Sequence, residues 1–252
     1  EFPTKIIAKI ERPEAITNMK AIVDCVDVIM VARGDLGIET AAANVPILQK
    51  ELIAAALLAQ KPVIVATQML DSMQTSPQPT RAEVSDVANA VIDKTDCVML
   101  SNETATGQFP VETVTMMAEI IKNTENSPFD DLTPPAPLEN QDTLAAEVKH
   151  SVEETGAVVI ITATHDGAIA RHISHFRPQV PIVVVVDNER LARQLSLFSG
   201  VYAILGSLET EEIILATAHQ YILATTQAKA GDKAVVALGQ NQKISLVEIK
   251  AV

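Results

Sequence analysis

The sequence predicts an α/β chain in two parts: four strand-plus-helix units, then a smaller α/β sandwich on a mostly parallel five-stranded sheet. Three observations carry this. Short apolar runs alternate with helix signals along the whole chain. The runs are continuous rather than alternating polar and apolar, as expected of strands buried on both faces. The segment 127–142 (SPFDDLTPPAPLENQD), with four prolines and four acidic residues, interrupts the alternation as an exposed linker would. The expected divisions are 1–126, a linker at 127–142, and 143–252.

In the first part, residues 5–11 (KIIAKIE) form a short apolar run ending in charge, and Pro13 opens a helix over 14–26. Residues 28–33 (VIMVAR) form a second run, followed by a Gly-rich turn and a helix over 45–60. A third run, 62–67 (PVIVAT), leads through a polar stretch to a helix over 81–93. The fourth run is 97–101 (CVMLS), and its helix spans 110–123. Such units call for parallel strands joined by crossovers. Four of them make an open sheet or half of an eight-stranded barrel. Beyond the linker, strands are expected at 158–162, 182–186, 201–205, 234–238 and 245–249. Helices are expected at 143–155, 168–176, 189–198 and 210–227.

The chain has 252 residues, 48% hydrophobic and 20% charged, so it can bury a substantial core. Aromatic residues make up only 3%, which leaves Ala, Val, Ile and Leu to fill that core. A net charge of −13 argues against a general nucleic-acid or anionic-membrane surface, since both need clustered Lys and Arg. No apolar run reaches the ~18 residues of a membrane span, and no signal peptide is visible, so the cytoplasm is the expected location. Cys25 and Cys97 sit in apolar runs and are expected to be buried thiols rather than a disulfide. Met69, Met73, Met116 and Met117 read as gap-filling core. His172 and His175 form an i, i+3 pair, which reads as a solvated helix face or, less simply, a metal site.

Each strand of the first part ends in polar residues: Lys9 and Glu11; Arg33, Gly34 and Asp35; Thr67 and Gln68; Ser101 and Glu103. In parallel α/β folds, sites form at the carboxyl ends of strands. Glu11 and Asp35 are carboxylates on neighbouring strand ends, as a hard cation such as Mg²⁺ requires. Lys9, two residues before Glu11, lies on the same strand face and can hold a developing negative charge; a simple strand-end ion pair is the alternative. In ARGDLG, a short helical turn opening at Gly34 would aim N–H groups at an anion; a tight turn with an exposed Asp is the alternative. Thr67 can serve the same cradle or merely cap the next element.

The segments KIIAKIE, IMVARGDLGIE, KPVIVATQML, PTRAEVSDVANAV and VMLSNETATGQFPVETV, in this order and spacing, closely resemble pyruvate kinases. The resemblance runs through essentially the whole chain. It implies half of a TIM-type (β/α)8 barrel followed by the family's C-terminal α/β domain. It further implies transfer of a phosphoryl group from phosphoenolpyruvate to ADP, giving pyruvate and ATP in glycolysis, with Mg²⁺ (or Mn²⁺) and K⁺. On that resemblance Glu11 and Asp35 are the metal ligands, and Lys9 stabilises the transferring phosphoryl and the enolate. Ala32, Arg33, Gly34, Asp35 and Thr67 bind substrate, and Thr67, Ser101 and Glu103 join Lys9 as catalytic residues. The K⁺ ligands fall outside this chain, and a homotetramer is implied for the complete enzyme.

Family members begin with four further strand–helix units and a lid domain, whereas this chain opens at what corresponds to the fifth barrel strand. A fragment carrying part of the site is therefore expected, without turnover alone. A binding or regulatory fragment that keeps the metal–carboxylate site is the alternative, and another barrel enzyme working through a metal enolate is a third. In the C-terminal part, TATHDG (162–167) stands at the family's phosphate-loop position. There Asp166 places negative charge where a phosphate would sit. The last strands are joined by the short GQNQK, so activation by a sugar bisphosphate is expected to be weak or absent.

Overall fold

The structure, a computed structural model, describes residues 4–129, 142–238 and 243–250. The chain forms two compact units. In the first, β1 (Ile7–Ile10), β2 (Val28–Ala32), β3 (Val63–Ala66) and β4 (Cys97–Met99) lie side by side in chain order, all parallel. Between and after them run α1 (Pro13–Thr17), α2 (Met19–Cys25), α3 (Arg33–Glu39), α4 (Val45–Leu58), α5 (Arg81–Ile92), α6 (Asn102–Ala105) and α7 (Pro110–Glu125). All four expected βα units are present.

Burial explains the run lengths. The inner strand β3 (VIVA) is buried at every position, and β2 (VIMVA) at all but one. The outer strands are not: β1 leaves Ile7 42% exposed, and β4 is half-buried throughout. Among the described residues these two strands are the sheet's unpaired edges. Helix α4 covers the sheet with Gln49, Leu52, Ile53, Ala56 and Leu57, an i, i+3, i+4, i+7, i+8 stripe. The core extends through Met69, Met73 and Met117, with Met116 at its margin.

Local expectations are corrected at four points. The helix expected over 14–26 is two helices, broken at Asn18, whose amide Nδ2 donates to the Glu14 carbonyl and competes with the helical ladder. The Gly-rich segment, expected as a tight turn or a short helical turn opening at Gly34, is a seven-residue helix, α3, that starts at Arg33. The fourth run stops being strand at Met99, and the segment after Ser101 coils into α6. Neither cysteine is fully buried: Cys25 is exposed at the end of α2, and Cys97 is half-buried on an edge strand; neither is in a disulfide.

The second unit contains α8 (Asp142–Thr155), β5 (Val159–Ala163), α9 (Ala168–His175), β6 (Ile182–Val186), α10 (Glu189–Leu195), β7 (Val201–Leu205), α11 (Glu211–Thr225), β8 (Lys233–Leu238) and β9 (Lys243–Glu248). Its sheet runs β7-β6-β5-β8-β9, parallel except for the final antiparallel pair. Successive strand residues go to opposite faces. Ile160, Ile182, Val184, Val186 and Val235 pack with α8, α9 and α10; Val159, Ile161, Val183, Val185 and Val236 pack with α11. Both faces are covered, so the strand IVVVV of β6 is apolar throughout. His172 and His175 are half-buried rather than solvated. Of the segments expected as linker and short loop, residues 130–141 and 239–242 lie outside the described residues.

Candidate active site

The strand register brings the polar strand ends level. Ile10 pairs with Val31, Ala32 with Ala66, and Ala66 with Met99. Residues one to three positions further on therefore gather along one rim: Glu11, Arg33 to Asp35, Thr67 and Ser101. None of this depends on chain proximity; it follows from parallel strands ending at the same level.

At one end of the rim Lys9 and Glu11 form an ion pair, made possible because both project from the same side of β1. Lys9 is held above its ordinary pKa, first by its hydrogen bond to Glu11 and by that carboxylate's charge. Asp35 contributes a further attraction, so the ammonium feels both carboxylates. Asp35 itself is exposed in the first turn of α3. An open cleft of about 400 Å³, lined by Lys9, Glu11, Arg12, Glu14 and Ala15, adjoins the pair.

Among the described residues no three His, Cys, Asp or Glu converge as a complete metal cage. Glu11 on the cleft wall, with Asp35 close enough to act on the same Lys9, fits a cation that takes its other ligands from substrate oxygens and water, as Mg²⁺ does. Glu11 and Asp35 are the residues that would hold it.

Ala32 is fully buried and begins α3 without a side-chain cap. The Gly34 amide donates to the Thr67 hydroxyl at 2.7 Å, and that hydroxyl donates to the Ala66 carbonyl at 2.6 Å. The expectation of a free Gly34 N–H waiting for an anion is thus not met: Thr67 occupies it. A Cβ on Gly34 would meet the Thr67 hydroxyl at 3.4 Å, an ordinary van der Waals contact. Thr67 and Gln68 are both left-handed, with φ of 71° and 54°. Two consecutive non-glycine residues in that region store strain that the surroundings must hold.

Arg33 supplies the hold. Only 8% exposed, its guanidinium turns into the protein rather than toward the cleft. Nη2 donates to the carbonyls of Thr67 at 2.7 Å and Gln68 at 3.3 Å and to Met69 Sδ at 2.8 Å. Nη1 meets Asp86 at 2.7 Å and Gln49 at 3.3 Å. Arg33 therefore shapes the Thr67 loop, and its charge is answered by Asp86 of α5.

Glu103 is 1% exposed, and its carboxylate accepts from the amides of Ser101 (2.7 Å) and Leu70 (3.3 Å). It braces the loop after β4 against the loop after β3. Ser101, half-buried, stands at the head of α6. Lys9, Glu11 and Asp35 thus form one electrostatic group, Gly34 and Thr67 a bonded pair, and Ser101 and Glu103 another; Arg33 faces inward.

Sequence reasoning missed Asp86 and Gln49. For Gln49 the signal was present: a polar residue heading the buried stripe of α4. For Asp86 it was not, because its partner is 53 residues away.

Both parts of the chain match known proteins. The pyruvate kinase barrel domain matches residues 2–114, and the pyruvate kinase alpha/beta domain matches residues 142–248. A pyruvate kinase of Agrobacterium vitis is 47% identical over 243 residues, covering 93% of this chain and 51% of that protein. Pyruvate kinase 2 of Synechocystis sp. is 50% identical over 204 residues, covering 79% of this chain and 34% of that protein. The crystal structure of a pyruvate kinase from Cryptosporidium parvum superposes with a TM-score of 0.91 at 37% identity, over 97% of this chain and 52% of that one. The chain thus spans between a third and about half the length of these relatives. With both halves matched by family models and the four-stranded sheet corresponding to part of the barrel, the chain belongs to the pyruvate kinase family.

Proposed function

We propose that this chain supplies the phosphoryl-transfer site of a pyruvate kinase, moving phosphoryl from phosphoenolpyruvate to ADP. The observation that carries the reading is Lys9, ion-paired with Glu11 and attracted by Asp35 from the adjoining strand end. Phosphoryl transfer depends mainly on positioning and electrostatic stabilisation. When bound, Mg²⁺ (or Mn²⁺) would neutralise phosphate and enolate charge beside Glu11 and Asp35. Lys9, kept protonated by its neighbours, stabilises negative charge on the transferring phosphoryl and on the enolate oxygen. Thr67, fixed by Gly34, orients the substrate carboxylate near Ala32 and Asp35. Arg33 acts as a positioning residue through the Thr67 loop. Ser101, braced by Glu103, is the group assigned to protonating the enolate.

Because the chain spans between a third and about half of its matched relatives, K⁺ ligands and nucleotide contacts are assigned to residues beyond it. A homotetramer in the cytoplasm is the expected setting; no described helix is long and apolar enough to cross a membrane. Calorimetry of the pure chain with Mg²⁺ and oxalate, an enolate mimic, tests the site. Oxalate binding that requires Mg²⁺ is expected, and its absence overturns the reading. A coupled assay should register no ATP formation at rates typical of the family from the chain alone.

A further inference from the structure

The left-handed Thr67–Gln68 turn is held by Arg33, and Arg33 is itself held from the outer helices. Gln49 of α4 is 2% exposed. Its Oε1 accepts from Arg33 Nη1 at 3.3 Å, and its Nε2 donates to Asp93 Oδ2 at 3.3 Å. The other oxygen of Asp93, just past the end of α5, is ion-paired with Lys50, which also reaches Asn89 Oδ1 at 3.2 Å. A continuous polar chain therefore runs Lys50, Asp93, Gln49, Arg33, and on to the carbonyls of Thr67 and Gln68. It starts on a half-exposed lysine and ends at the strand rim.

A bare apolar residue at position 49 would fill the same stripe of α4 at lower desolvation cost. An amide there has a specific geometric capability: it offers an acceptor to a guanidinium and a donor to a carboxylate at once. Asp86 neutralises Arg33, and Gln49 fixes the direction from which Nη1 is approached. Arg33 Nε has no hydrogen-bond partner, so the fork's orientation rests on its two terminal nitrogens.

We infer that Gln49, anchored by Asp93, is a positioning residue: it sets the Arg33 guanidinium and through it the Thr67 hydroxyl that receives the Gly34 amide. This rests on the proposed function only for its consequence in ligand binding. The structural claim stands on hydrogen bonds alone and is testable without ligand.

The test is amide hydrogen exchange by NMR on the full chain, wild type against Gln49→Met and Asp93→Asn. Gly34 reports the bond to Thr67, and Val65, fully buried in β3, reports the sheet. Gln49→Met should accelerate Gly34 at least tenfold while leaving Val65 within twofold, and Asp93→Asn should do the same to a smaller extent. An unchanged Gly34 overturns the inference. Equal acceleration of Gly34 and Val65 also overturns it, because Gln49 would then be serving general stability. The same variants should weaken Mg²⁺-dependent oxalate binding about tenfold with no change in Mg²⁺ affinity. Wild-type chain that binds no oxalate would count against the proposed function alone, since the exchange result needs no ligand.

Discussion

The amide of Gly34 donates to the hydroxyl of Thr67 at 2.7 Å, and this bond, beside those of Arg33 to the Thr67 and Gln68 carbonyls, ties the end of β2 to the end of β3. It joins residues 33 apart in the chain at the middle of the proposed site. Thr67→Val keeps the shape of the side chain and removes the acceptor. A half-buried N–H left without a partner costs about 1–3 kcal/mol. The variant should therefore unfold at lower urea concentration, and its Mg²⁺-dependent oxalate affinity should fall. Unchanged affinity measured by calorimetry would remove Thr67 from the site.

Lys9 competes with any metal for the carboxylate of Glu11, because the two are already ion-paired. Lys9→Met should leave Mg²⁺ affinity intact or raise it, since one positive charge is withdrawn from two carboxylates. Oxalate affinity in the presence of Mg²⁺ should fall, by about tenfold, or ~1.4 kcal/mol. Loss of Mg²⁺ binding in this variant would show that Lys9 organises the carboxylates instead of opposing the cation.

Glu83 binds the loop after β3 to the start of α5. Its carboxylate accepts from the amide and hydroxyl of Ser72 and the amide and hydroxyl of Thr80. Burial alone would raise its pKa; the hydrogen bonds outweigh burial and hold it below the ordinary value of 4.5. A carboxylate depressed on folding stabilises above its unfolded pKa, and that contribution is lost as pH falls through the folded one. Exchange protection at Val87 in α5 should therefore exceed that of Glu83→Gln at pH 7, and the gap should close below about pH 4.5. A constant gap down to pH 3 would contradict the assignment.

Asp166 occupies the head of α9 with its own carboxylate. It accepts from the Ala168 amide and the Thr164 hydroxyl, both at 2.9 Å, and the Ala168 bond is the main reason its pKa is lowered. Fructose bisphosphate titrated into the chain should give no saturable heat. Asp166→Ser removes the charge while keeping a capping oxygen, at a stability cost within about 1 kcal/mol. Tight binding of the sugar bisphosphate by the unsubstituted chain would refute the self-capped loop.

Gly107 stands against the brace that carries Glu103. A Cβ there would lie 2.5 Å from the Glu103 carbonyl and 3.1 Å from Gln74 Cα, both backbone atoms that cannot swing aside. Gly107→Ala should destabilise the barrel unit by about 1–3 kcal/mol, the usual range for overpacking. A melting temperature equal to the parent's would show that α6 yields freely.

Much of this protein was legible in its sequence because the causes are local. Short β-branched runs such as VIMVA and VIVA read as strands buried on both faces, and they are strands, buried at all but one position. The helix expected over 81–93 is α5, and the structure adds a Thr80–Glu83 capping box at its start. The placement of Lys9, Glu11, Asp35, Thr67 and Ser101 along one rim followed from counting to the ends of parallel strands. What the sequence misread was equally local in appearance. Arg33 sits beside Gly34 and Asp35 and reads as a substrate contact, yet it points inward. Cys25 lies in an apolar run and reads as buried, yet it ends an exposed turn of helix.

The sequence by itself determined the four βα units, the second sheet and the residue types gathered at the strand ends. Only the tertiary structure decided the partners. Gly34 meets Thr67, Arg33 meets Asp86 and Gln49, and Glu103 meets Leu70, each across more than ten residues of chain. Periodicity fixes which face a side chain takes, because backbone geometry repeats every 2 or 3.6 residues. It carries no information about which distant group completes a hydrogen bond, and in this chain those bonds hold the strained turn on which the proposed site rests.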